Sequence, residues 1–156
     1  MPGKVKIKVK VKPNLHSVFN QNVLIVWKPR YNLGIPIIDE HHRGIVTTIN
    51  SLYFGMQNKH GEDMLRPAVR MIHDYTLMHF AVEEAFLRKY MYPGLKQHQQ
   101  WHKELKIELA RIGKKSIGDH DPYEFLLFLK DWWIDHICKK DREFLKYLLS
   151  TLKNQK

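Results

Sequence analysis

Four stretches of this chain carry apolar side chains at helical spacing, and each stripe is broken by histidine or a carboxylate. The interruptions are His42, then His79 with Glu83, then His98 with His102, then His136 with Asp141. Residues four apart lie on one face of a helix, about one turn from each other. The second and third groups therefore each point two polar side chains the same way. A bundle that turned these faces inward would bring the polar groups of four amphipathic helices together in a nitrogen-rich site.

The first predicted helix runs from about Asp39, as N-cap, to Asn58, and the second from near Asp63 to just before Tyr92-Pro93-Gly94. The third spans about Leu95 to Ile112, before Gly113. The fourth opens on Asp121-Pro122-Tyr123-Glu124, which reads as N-cap, first-position proline and capping-box glutamate, and continues to about Leu152. Helices of similar length with short connections give an all-α, up-down-up-down four-helix bundle. We expect the bundle to occupy residues 37–156, after a basic N-terminal arm and irregular lead-in over residues 1–36.

The arm alternates Lys4, Lys6, Lys8, Lys10 and Lys12 with Val5, Ile7, Val9 and Val11, the period of a strand. A lone strand in a helical chain is either a free arm or a means of pairing with a protein partner or a second copy. Residues 15–36, with Pro29, Gly34 and Pro36, read as irregular chain anchored by Trp27 and Tyr31. The formal net charge is +10, and these five lysines supply half of it. The remaining +5 is interspersed with acids, whereas polyanion-binding surfaces cluster their cations on one face. No zinc-finger, helix-turn-helix or RNA-binding signature accompanies the charge, so no nucleic-acid partner is expected. No apolar run is long enough to span a bilayer, and no secretory leader is visible. The single cysteine, Cys138, excludes an intramolecular disulfide and suits a reducing compartment. A cytoplasmic protein without membrane insertion is the expectation.

Taken singly, each polar pair weighs little in a chain with ten histidines. His120 and Glu124 share the spacing of His79 and Glu83, yet Glu124 is accounted for by the capping box and His120 by the loop before it. Four groups on four helices are a different matter. Burying five imidazoles and two carboxylates without partners would cost several kcal/mol for each ionised group, and metal coordination is the usual remedy. Of the two adjacent histidines, His42 shares a stripe with Ile45, Val46, Ile49 and Tyr53, while His41 heads a poorer face with Gly44, Thr48 and Gly55. His42 is therefore the inward one. Imidazole with carboxylate and no thiolate suits iron, zinc, copper or nickel and disfavours calcium and magnesium. Two carboxylates shared by five imidazoles suggest two bridged ions, with one position open to a small diatomic ligand.

Asp141 is the weakest member on spacing alone. Five residues on an ideal helix turn through about 140°, so Asp141 and His136 would flank an inward face unless the helix widens locally.

The runs Asp39-Glu40-His41-His42 and His79-Phe80-Ala81-Val82-Glu83-Glu84, Tyr92-Pro93 with His98 and His102, and Trp132 with His136-Ile137 and Asp141 resemble the hemerythrin family, its bacterial members above all. The likeness covers roughly Trp27 to Leu149. It implies two iron ions without haem, with His98, His102 and His136 on one, His42 and His79 on the other, and Glu83 and Asp141 bridging. It also implies reversible binding of dioxygen for storage, delivery or scavenging. The alternative it leaves is an oxygen- or nitric-oxide-sensing module that acts through a partner protein. Ferritin-like oxygen-activating enzymes use Glu-x-x-His motifs, and none occurs here, so binding is expected rather than catalysis. Trp132, Trp133, Ile137, Phe80, Phe86 and Ile49 are candidates for the apolar lining. Trp133 stands out because the family often has leucine at that position.

Overall fold

The computed structural model describes residues 23–153. The lysine-alternating stretch of residues 4–12 lies outside them. Four helical segments pack side by side: α1 (Pro36–Gln57), α2 (Gly61–Lys89), α3 (Leu95–Asp119), and a fourth that runs without a break through α4 (Pro122–Trp132), a π-helical turn (Trp133–Lys140) and α5 (Asp141–Lys153). Consecutive helices pack on each other and α1 also packs on α4, which closes the up-down-up-down bundle. No strand occurs among the described residues, and no helix there is long and apolar enough to cross a membrane.

Three of the four helices have an end that differs from the one read in the sequence. Helix α1 starts at Pro36, with proline in its first turn, rather than at Asp39. Asp39 sits inside that turn and accepts hydrogen bonds from the Leu33 and Gly34 amides at 2.7 and 3.0 Å. Its carboxylate thus clamps the lead-in to the bundle instead of capping the helix. The helix α2 start shifts back to Gly61. Helix α3 continues through Gly113 to Asp119, because the missing side chain at Gly113 is used for packing. A Cβ there would stand 2.9 Å from a Val69 methyl. Asp121 does cap α4, accepting from the Tyr123 amide at 2.9 Å. The capping box is not completed, because the Asp121 amide bonds to the Ser116 carbonyl and Glu124 pairs with Lys115.

The three connections share one device. Lys59, Met91 and His120 each adopt a positive φ, and the next residue's amide reaches back five positions to Gly55, Leu87 and Ser116. This is the left-handed helix ending normally given to glycine; here it falls on three residues that bear a small steric cost for it.

The lead-in is tied down at a second point. The Asn50 side chain accepts from the Leu24 and Ile25 amides and donates to the Ile25 carbonyl. Replacing Asp39 by alanine should cost about 2–3 kcal/mol, because it strands two amides, one of them buried. Urea unfolding of Asp39→Ala checks this, and an unchanged midpoint would mean the loop holds itself.

The face of α1 headed by His41 is not the exposed surface its composition suggests. His41 is 6 % exposed and Thr48 is also buried. A Cβ on Gly44 would meet the Tyr75 ring at 2.7 Å, and one on Gly55 would meet Met64 at 2.7 Å. Small residues let α2 approach closely along this face, so its poverty in apolar side chains reflects tight packing.

Two apolar clusters fill the interior. The larger includes Ile45, Ile49, Leu52, Ile72, Leu126, Leu129 and Trp133, and the smaller is built on Leu33, Ile38, Leu87, Phe144 and Leu148. In every helix the polar interruption lies between the residues that feed one cluster and those that feed the other.

Candidate metal centre

Each helix delivers its share of that intervening layer. Helix α1 brings His42, α2 brings His79 and Glu83, and α3 brings His98 and His102. The π-helical turn brings His136, and Asp141 opens α5. All seven are at most 1 % exposed. The pairing of His136 with Asp141, opaque on an ideal helix, follows from the π-helical turn. The Asp141 amide bonds to the His136 carbonyl five residues back, so residues five apart are stacked. The carboxylate then faces inward, with Oδ1 3.2 Å from His136 Nε2.

The donor atoms fall into two groups. Glu83, His98, His102, His136 and Asp141 offer atoms that all lie within 4.8 Å of one another, and so do His42, His79 and Asp141. In the first group His98 and His102 Nε2 each lie 3.1 Å from Glu83 Oε2, and the Nε2 atoms of His102 and His136 face each other at 3.1 Å. In the second, Asp141 Oδ2 lies 3.4 Å from His42 Nε2 and 4.0 Å from His79 Nε2. His79 Nε2 is also 3.9 Å from Glu83 Oε2. Donors held about 2.1 Å from a common ion stand roughly 3 Å apart, which is the spacing of the first group.

Many of these atoms have no hydrogen-bond partner. They include both ring nitrogens of His42 and of His79, Glu83 Oε1 and both oxygens of Asp141. Buried polar atoms are almost always satisfied, so the unpartnered Nε2 atoms of His42 and His79 and the free carboxylate oxygens offer lone pairs to a shared cation. The donor set fits a pair of cations.

Electrostatics point the same way. Burial lowers the His42 pKa to about 4 and that of His79 to about 3, and holds His136 well below its ordinary value. These imidazoles are neutral, the form that binds metal. Burial also pushes the Glu83 carboxyl up, but hydrogen bonds from His102 and His98 outweigh it and hold Glu83 well below the usual range. At Asp141, burial and the nearby Glu83 charge act together and push the carboxyl well above its usual value. Burial opposes ionisation of His98, yet its bond to Glu83 and the surrounding carboxylates raise its pKa on balance.

Several supporting residues were not legible as such in the sequence. Glu84 accepts from His102 Nδ1 at 2.8 Å and from Gln99 Nε2 at 3.0 Å, which fixes the imidazole with Nε2 inward. The signal was present in the adjacent pair Glu83-Glu84, where one carboxylate faces in and the next turns toward α3. Phe80 stacks on the His102 ring at 3.6 Å and 4°, and Phe144 meets His98 edge-on at 5.9 Å. Trp133 lies edge-on to His42 at 6.1 Å and is itself covered by Trp27 and Tyr31. Trp132, Ile137 and Ile49 are buried in the larger cluster, whereas Phe86 packs with the smaller one against Tyr90. His41 meets the His79 ring edge-on at 5.9 Å. His120 pairs with Glu62, far from the centre.

Comparison with known proteins gives a consistent picture. The family described as "Hemerythrin HHE cation binding domain" matches residues 33–148. Bacteriohemerythrin of Clostridium acetobutylicum is 30% identical over 128 residues, which cover 78% of this chain and 99% of that protein. A hemerythrin subunit from Sipunculus nudus is 29% identical over 123 residues, covering 79% and 92%. Bacteriohemerythrin of Stenotrophomonas maltophilia is 28% identical over 125 residues, covering 78% and 79%. Hemerythrins are oxygen binders rather than enzymes, and their domain implies a non-haem diiron centre, for which this chain has a buried His, Glu and Asp cluster. With its fold, its donor layer and a match over most of its length, the chain belongs to the hemerythrin family.

Proposed function

We propose that this protein binds dioxygen reversibly, for storage, delivery or scavenging, with His98, His102 and His136 holding one iron ion and His42 and His79 the other. Glu83 and Asp141 bridge them. The division of the buried donors into a three-imidazole and a two-imidazole group, with Asp141 common to both, is the observation that carries this reading. Two ferrous ions would supply the electrons that dioxygen takes up on binding and returns on release.

The chain's own part is to orient and to exclude water. Glu84, steadied by Gln99, holds His102 in one tautomer, and partners of this kind commonly matter about 10- to 100-fold in metal affinity. Glu84→Ala is expected to weaken iron binding by roughly that factor, read by competition with a chelator. Unaltered affinity would mean the Phe80 stack alone orients the ring. Trp133 closes the His42 side. Trp133→Leu should open that side to water and speed autoxidation several-fold, measured as the drift of the visible spectrum in air. An unchanged rate would remove Trp133 from the barrier.

The test of the function itself is iron content with the visible spectrum before and after anaerobic reduction and return to air. Two irons per chain and a colour that bleaches and comes back are expected. Steady consumption of a reductant with dioxygen would instead indicate turnover. A sensing module is the second reading, and removal of residues 1–12 separates the two: oxygen binding should survive intact, whereas a sensor would lose its partner.

A further inference from the structure

Away from the donor layer, the lead-in and the fourth helix enclose a cleft of about 700 Å³, within the range of small-molecule sites. Leu24, Val26, Trp133 and Ile134 give it apolar walls, and Lys28, Arg30, Lys130 and Arg142 stand around them. Among the described residues no carboxylate lines it. Some basic side chains elsewhere pair with acids, as Arg43 does with Glu40, Arg111 with Glu108 and Lys139 with Asp135. Among the described residues none of the four cations at the cleft has such a partner. Next to them Val26 is 51 % and Ile134 41 % exposed. Apolar surface left in water beside cations left without counter-charges is complementary to one kind of molecule. Its apolar body would take the walls out of water, and its anionic head would receive charge-assisted hydrogen bonds.

We propose that this cleft binds a free organic carboxylate with an apolar body, such as a medium-chain alkanoate. The lysine-rich residues 4–12 are a poor alternative occupant, since they carry the sign of the rim. Trp133 separates the cleft from the His42 ring, so the inference stands whether or not the dioxygen reading does.

Isothermal titration of the full-length protein with octanoate tests it. One octanoate per chain should bind saturably. Arg30→Gln/Lys130→Gln should weaken binding about tenfold or more, as expected for the loss of charge-assisted bonds. Ile134→Glu, which sets a carboxylate on an exposed wall, should abolish it, and circular dichroism would verify that both variants fold. Equal binding of 1-octanol, equal binding of inorganic phosphate, or unchanged binding in the charge variant would each overturn the proposal. So would binding to vesicles of anionic lipid with no response to octanoate, which would make the same patch a membrane contact.

Discussion

Glu83→Gln is expected to yield a folded bundle that no longer holds its pair of iron ions. Glu83 is 0 % exposed, and the substitution keeps the shape of the side chain while removing its charge, so packing is preserved. What it loses is the acceptor shared by His98 and His102, both 3.1 Å from Oε2, and the anion nearest His79 at 3.9 Å. An amide presents one weak oxygen where a carboxylate presents two anionic ones. In a dry site the cations would also lack half of the carboxylate charge that offsets them. Iron affinity should fall by roughly 100-fold or more, beyond what changes to supporting residues produce. Metal analysis after gel filtration, beside far-ultraviolet circular dichroism, separates this from misfolding. Two irons per chain in the variant would end the claim that Glu83 bridges.

Removal of iron should have the second-largest effect, on stability. Ligand bound at a thousand times its dissociation constant stabilises the folded state by about 4 kcal/mol. Each kcal/mol moves the Tm of a domain this size by roughly 2–4 °C. Chelation is therefore expected to lower Tm by about 10 °C or more. The physical source is visible in the buried nitrogens of His42 and His79 and the oxygens of Asp141, which have no other partners. Scanning calorimetry of the iron-loaded and chelated protein measures it, and coincident transitions would mean the donors are satisfied in some other way.

The parts of this molecule that obey regular periods were readable in the sequence. Four helical stripes predicted the bundle, and spacing of four placed His79 with Glu83 and His98 with His102 on common faces. Asp141 was not readable from spacing, because its inward aim depends on a π-helical turn that no local pattern announces; only the family resemblance named it. Helix ends were read less well, since the signals there have more than one use. Asp39 resembles a cap but clamps a loop, and Gly113 resembles a stop but makes room for Val69. Glycine marked none of the three left-handed endings, which fall on Lys59, Met91 and His120. His41 was misjudged because a face of small residues looks exposed until another helix is laid against it.

The donor layer also divides the hydrophobic interior unequally. The half around Phe144 and Leu148 is small, while the other half gathers most of the buried side chains. Regions with fewer buried contacts open at lower free energy. Local opening is therefore expected to cost least at the Phe144 end, and amide hydrogen exchange faster there than around Leu126 would show it.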